Sequence, residues 1–314
     1  MFGESARLPP GELLRALRDE AGLHLATVVP AGAGESGAAF WVTDHAGTVS
    51  LLKIIPEPGP TALADLRELG ATVRRLRGRG YPAAPLTALG RTARFAFWIQ
   101  RRLPGRTLDL RPGQPDTARL ATLLPEIIGL NDAQAGLSTG DAASWPALLT
   151  STLTGGADGY CVHATLQARP DTAALLQVVR DIGARCGPAI PSGTDFMHYD
   201  FTPTNLLTDG ATISGVIDIN VPVLAGDRAF DLATLLFYVY DHDGIRDRLG
   251  ARLLELAGHQ AARAYLAHIV LRQVDWSLRH HLAAPATRRH LRLARQVIAD
   301  IAGGTVPWPA SAIG

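Results

Sequence analysis

Lysine is almost missing from this chain: of its 30 basic residues, 29 are Arg and one, Lys53, is Lys. Net charge is scarce as well. Only 19% of residues are charged and the balance is +1 at pH 7, which gives none of the one-signed field that nucleic acids or membrane surfaces attract. Two cysteines, Cys161 and Cys186, are widely spaced and match no metal or redox motif, so a reducing cytoplasmic setting is expected. No apolar run reaches the length of a membrane-spanning helix. The opening Met1-Phe2-Gly3-Glu4-Ser5 has no basic region followed by an apolar stretch, so no secretory signal is expected. Motifs of the forms G-x-x-x-x-G-K-[ST], H-E-x-x-H and C-x-x-C do not occur, which removes the P-loop NTPases and the zincins. Internal repeats and low-complexity segments are absent too.

What is present is ample for a core: 314 residues, 47% of them hydrophobic, enough for one large domain or two lobes sharing a cleft. After a short helix over 11–21, residues 27–55 alternate between strand-like runs and turns. The runs are Thr27-Val28-Val29, Phe40-Trp41-Val42 and Val49 to Ile55, separated by Gly32-Ala33-Gly34-Glu35-Ser36-Gly37 and by Asp44-His45-Ala46-Gly47. Leu63, Leu66, Leu69, Val73 and Leu76 recur at a helical period over 61–77, and strands are expected near 86–89 and 95–100. Beyond Leu103-Pro104-Gly105 the pattern becomes helical: roughly 116–135, 145–154, 171–186, 228–240, 245–257, 260–282 and 286–302, with a strand–loop–strand region at 195–219. The expected fold class is therefore α+β and bilobal, with a small antiparallel β-sheet lobe (1–103) and a larger, mainly helical lobe (104–314). The tail around Val306-Pro307-Trp308-Pro309 is expected to be peripheral.

The densest chemical signal lies in the strand–loop–strand region. Asp200 and Asn205 occur in His198-Tyr199-Asp200-Phe201-Thr202-Pro203-Thr204-Asn205, and Val216-Ile217-Asp218 follows after a short strand and an Asp209-Gly210 turn. A hairpin there folds Asp218 back toward Asn205. A carboxylate and an amide oxygen at one strand crossing suit Mg²⁺, which prefers hard oxygen ligands and shares them with phosphates. Asp200, on the adjoining loop, is then placed to take or orient the proton of a substrate hydroxyl. Singly, each has an ordinary alternative: a turn cap, a strand start, a surface acid. Asp218 lies among Val216, Ile217 and Ile219, however, where an idle carboxylate is costly. In the first lobe, Gly32-x-Gly34-x-x-Gly37 is followed by strand, turn and strand. A dinucleotide fingerprint would need a helix there. Strand, Gly loop, strand and a strand carrying Lys is the kinase order. The loop glycines let backbone approach phosphates, Ser36 offers a hydroxyl, and the solitary Lys53 falls where a compact ammonium is needed.

The stretch from Phe196 to Leu236 resembles the catalytic core of the aminoglycoside-phosphotransferase and choline-kinase superfamily, relatives of the protein kinases. The resemblance rests on His198-x-Asp200-x-x-x-x-Asn205, on Ile217-Asp218 and on Gly226-Asp227-Arg228-Ala229-Phe230-Asp231-Leu232-Ala233. Tyr199 stands where many relatives have Gly, and Arg228 where Pro is usual. The resemblance implies a protein-kinase-like fold, Asp200 as the catalytic residue, Asn205 and Asp218 as metal ligands, and Lys53 as the phosphate-binding lysine. It further implies an acid on the following helix to hold that lysine: Glu68, with Asp65 and Glu57 as alternatives. Asp227 and Asp231 are expected to anchor the loop and cap a helix, and His198 to brace it. Phe97 to Gly105 resembles the family's hinge, where backbone around 100–102, hence Gln100 and Arg102, would meet the purine. The implied cofactor is Mg²⁺, and ATP or GTP the co-substrate. The expected reaction is phosphoryl transfer to a hydroxyl of a small molecule by a monomer or homodimer, with no nucleic-acid or membrane partner. Asp241, Asp243 and Asp275 are the acids available for a cationic acceptor such as an aminoglycoside or a viomycin- or capreomycin-like peptide antibiotic. A metabolic kinase acting on choline, homoserine or a sugar is the alternative, and a non-catalytic binding module the third reading.

Overall fold

The computed structural model describes residues 8–32, 38–110, 115–137, 144–219, 221–303, 306 and 308. Near the N-terminus, α1 (Pro10–Ala21) ends at Gly22, whose φ of 66° makes the left-handed turn that closes a helix. Then come β1 (Leu25–Pro30), β2 (Ala39–Asp44), β3 (Val49–Pro56), α2 (Ala62–Gly78), β4 (Leu86–Arg91) and β5 (Phe95–Arg101). The strands form one sheet in the order β1-β2-β3-β5-β4, every neighbouring pair antiparallel.

Strand alternation decides what each face carries. Phe95, Phe97 and Ile99 of β5, with Leu52 and Ile54 of β3, join Leu13 and Leu17 of α1 in one apolar cluster. Ala96 and Trp98 turn the other way, into the cluster that includes Leu66, Leu69 and Val73 of α2. Sandwiched between two helices, β5 is buried on both faces, which explains its unbroken Phe-Ala-Phe-Trp-Ile run. Lys53 lies between Leu52 and Ile54 and so points to the α2 side. There it pairs across the sheet with Trp98, its ammonium 5.8 Å from the ring centre.

The remainder is mainly helical: β6 (Arg106–Thr107), α3 (Pro115–Ala133), α4 (Ser144–Gly155), α5 (His163–Gln167), α6 (Pro170–Cys186), β7 (Asp195–Met197), β8 (Leu206–Thr208), β9 (Ile213–Val216), β10 (Leu224–Gly226), α7 (Ala229–Tyr238), α8 (Asp243–His280) and α9 (Pro285–Ala302). Two small sheets, β10-β7 and β6-β8-β9, frame the loop that carries Asp200. The two helices expected at 245–257 and 260–282 are both present: they meet at Gly258, whose φ of 70° and ψ of 171° are non-helical, and α8 denotes the pair. Glycine supplies that break because it carries no Cβ to clash. Too short to show a period, α5, β6 and β10 were not anticipated. Contrary to expectation the tail docks: Trp308 is buried, edge-on to Tyr240 at 6.0 Å. Among the described residues no helix is long and apolar enough to cross a membrane.

Candidate active site

The loop from His198 to Asn205 is held from below by a carboxylate. Asp231, in the first turn of α7 and fully buried, accepts from the backbone N–H of His198 (2.7 Å) and Tyr199 (2.8 Å) and from Nε2 of Gln134 (2.9 Å). Burial pushes the Asp231 carboxyl up, against the opposing pull of His198 and of those donors. Nearby, Asp227 accepts from the Tyr265 hydroxyl (2.7 Å) and from the Ala229 N–H (2.9 Å). Arg228 lies against Asp195 at 3.2 Å. His198 extends the bracing upward: its Nε2–H donates to the carbonyl of Ile217 at 2.7 Å, the residue before Asp218.

Within the loop, Nδ2 of Asn205 donates to the backbone carbonyl of Asp200 (2.8 Å) and to Asp200 Oδ2 (3.0 Å). With its nitrogen engaged there, the amide has Oδ1 left as its acceptor. The Ile217 N–H donates to the carbonyl of Asn205 at 3.0 Å, so the hairpin folds Asp218 back beside Asn205. The other oxygen of Asp200 faces Arg272 of α8 at 3.2 Å.

From the sheet side, Lys53 reaches across and forms an ion pair with Asp218. Partial desolvation would raise the Asp218 pKa, but the charge and hydrogen bond of Lys53 outweigh it and leave the carboxyl below its ordinary value. Asp218 itself takes φ of 66°, a conformation that turns its side chain out of the strand line. A recess opens beside it, lined by Leu69, Val73, Leu86, Gln100 and Ile219: apolar walls with one amide. The hairpin is fastened to the sheet half by the Val216 N–H, which donates to the carbonyl of Pro82 at 3.0 Å.

Other expected site residues are spread more widely. Gly32 takes φ of 100°, and Gly34 and Ser36 lie outside the described residues. Gln100 lines the recess, whereas Arg102 stacks its guanidinium on Trp41, 5.4 Å from the ring centre. Glu68 accepts through Oε1 from Arg75 (2.7 Å) and Thr72 (3.1 Å); the ion pair of Lys53 is with Asp218. Each of the three acids expected to meet a cationic acceptor already faces an arginine. Asp241 pairs with Arg289 at 2.6 Å, Asp243 with Arg246 at 2.9 Å and Asp275 with Arg279 at 2.6 Å. Burial would raise the Asp241 carboxyl, but Arg289 draws it below its ordinary value. Asp275 is wholly buried and also accepts from the Val162 N–H at 3.0 Å, so it ties α8 to the α4–α5 connection rather than facing solvent. Arg272 was not foreseen. Its one signal was a guanidinium directly after the apolar run Ile269-Val270-Leu271, where a charge needs a partner.

The family model of the Phosphotransferase enzyme family (APH) matches residues 27–268, and the chain belongs to that family. Its fold is that of kinase-like aminoglycoside phosphotransferases. An aminoglycoside phosphotransferase from Alicyclobacillus acidocaldarius is similar with a TM-score of 0.54 at 16% identity, covering 96% of this chain and 97% of its own. Another, from Streptomyces rimosus, has a TM-score of 0.52 at 16% identity, over 83% of this chain and 98% of its own. A fructosamine-3-kinase from Haemophilus somnus gives 0.52 at 11% identity, over 92% and 96%. No curated protein matches the chain.

Proposed function

We propose that this phosphotransferase moves the γ-phosphoryl group of ATP or GTP to a hydroxyl of a small molecule, with Mg²⁺ as its cofactor. The observation that carries the reading is the meeting of Lys53 with Asp218 beside the Asp200–Asn205 hydrogen bond. Asn205 Oδ1 and the Asp218 carboxylate are hard oxygen donors on adjoining backbone and would hold the ion, which when bound neutralises charge on the phosphates. Lys53 exchanges its carboxylate partner for phosphate oxygens when nucleotide enters. Asp200 accepts the proton of the acceptor hydroxyl as that oxygen bonds to phosphorus and the bond to the nucleoside diphosphate breaks. The purine is assigned to the recess lined by Leu69, Val73, Leu86 and Gln100, which has to widen to admit it. Residues 1–103 and 104–314 would then act as the nucleotide and acceptor lobes.

For the acceptor, a hydroxylated antibiotic remains the leading class. The arginine partners of Asp241, Asp243 and Asp275 favour one with few ammonium groups, because a polycation would have to displace each arginine in turn. A hydroxyl-bearing metabolite is the second reading, favoured by the same neutralised acids. The test is phosphomonoester formation, followed by ³¹P NMR, with ATP or GTP, Mg²⁺ and a panel of hydroxylated antibiotics with few or no ammonium groups, aminoglycosides, cyclic peptide antibiotics, choline, homoserine and sugars. A new phosphomonoester with one antibiotic, and a raised inhibitory concentration in a host expressing the gene, is expected. Phosphorylation of a metabolite alone selects the second reading, and no transfer to any hydroxyl contradicts both.

A further inference from the structure

Tyr199 precedes the proposed catalytic aspartate and holds φ at 68°, in the left-handed region that a residue with a Cβ seldom enters. What holds it there is visible on three sides. Its N–H is bonded to Asp231 at 2.8 Å. Its ring stacks on Phe230, 5.3 Å between centroids and 15° from parallel. The guanidinium of Arg272 lies over the ring at 4.9 Å. That same guanidinium donates NH1 to the carbonyl of Tyr199 at 2.8 Å and NH2 to Asp200 Oδ1 at 3.2 Å.

Arg272 is 8% exposed and projects from a part of α8 in which residues 261–275 are all buried. A cation in such a place is retained where it has fixed partners. Behind it, Cys161 Sγ lies 3.7 Å from His268 Nε2. Burial pushes the thiol up to about 12 and the imidazole down to about 3, so neither competes as a charge. Asp200 thus has one oxygen on Arg272 and the other on Asn205 Nδ2 at 3.0 Å, an arrangement that fixes the plane of its carboxylate. Only a planar, forked donor can lie flat on a ring while bonding a carbonyl and a carboxylate at its edge; an ammonium is a point donor.

We infer that Arg272 is a positioning residue for Asp200, acting with Tyr199 as one unit that sets the carboxylate's aim at the acceptor hydroxyl. The inference rests on the phosphotransfer reading for what Asp200 does, while the assembly itself can be tested apart from it. Once a competent acceptor is in hand, Arg272→Lys should lower kcat by about 10- to 100-fold with both KM values within about threefold, the pattern of misaimed chemistry rather than lost binding. Arg272→Ala should lose more, and guanidinium ion added to that variant should raise its kcat several-fold. Tyr199→Gly combined with Arg272→Ala should cost no more than Arg272→Ala alone, because the two residues serve one function. The same four proteins (wild type, two singles and the double) should give non-additive thermal midpoints. That result would uphold the assembly even if no acceptor were ever phosphorylated. Wild-type kcat in Arg272→Lys, no response to guanidinium, or additive losses in both activity and midpoint would overturn the inference. If the Ala variant does not fold, the kcat and KM split of the Lys variant decides alone.

Discussion

At the scale of single residues the chemistry depends on which cation reaches which oxygen. Lys53 comes from a strand whose alternate residues, Leu52 and Ile54, belong to the cluster on the α1 side, so its direction follows from the pleat alone. Its ammonium meets Asp218 on a hairpin 165 residues away in sequence. Arginine should fail here in spite of its charge, being a planar fork in a place built for a compact donor. Lys53→Arg is therefore expected to lower kcat/KM by roughly 10²-fold or more in a coupled nucleotide-consumption assay, and full activity would remove the role given to this lysine. Asp200→Asn should lower turnover by about 10²–10⁴-fold, the usual contribution of a positioned acid or base. Nucleotide affinity by calorimetry should stay within about threefold, since Asp200 does not touch Lys53 in the ion pair described. Both residues were legible before any coordinates, one as the only lysine and the other through its spacing to Asn205. Arg272 was not, because a buried arginine is recognised by its partners, and those lie 72 and 73 residues away on a different element.

Among elements, the short ones carry the site and the long ones carry the short ones. The Asp200 loop has little structure of its own; its shape is borrowed from Asp231 on α7 and from the Ile217 carbonyl that receives His198. Periodicity revealed α2, α3, α6 and α9 and the five strands of the large sheet, since each has enough residues to show its repeat. It could not reveal α5, β6 or β10, which are too short to show one, but it did separate the two helices that meet at Gly258. Trp308 was misjudged because a Pro-flanked terminal segment resembles a loose end, whereas its indole is only 3% exposed. Removing a buried aromatic of that size costs about 3–5 kcal/mol, so Trp308→Ala should shift the urea midpoint markedly, and an unchanged midpoint would contradict the docking. Helix packing also gives a pH signature. Burial, with Arg272 nearby, holds His268 down to about 3, and burial with Arg289 and His281 holds His290 down to about 4. Below about pH 6.5 the unfolded chain takes up protons that these folded sites refuse. Stability is therefore complete above that pH and is lost as pH falls toward about 4, by up to about 1.4 kcal/mol per pH unit for each histidine. His290→Gln should flatten the fall in urea midpoint between about pH 6 and 4.5; a slope equal to that of the wild type would contradict this origin.

For the whole molecule, one junction matters most: the sheet half meets the hairpin that leads to Asp218 through Lys53–Asp218 and through the Val216 N–H on Pro82. Everything proposed about phosphate, metal and acceptor requires that this junction be the place where nucleotide binds. The most direct test is a crystal structure with Mn²⁺ and a non-hydrolysable nucleoside triphosphate, the metal located by its anomalous signal. The account predicts a metal peak on the oxygens of Asn205 and Asp218, phosphate oxygens within hydrogen-bond reach of Lys53, and the purine between Leu69, Leu86 and Gln100. A nucleotide bound elsewhere, or a metal peak touching neither Asn205 nor Asp218, would contradict it.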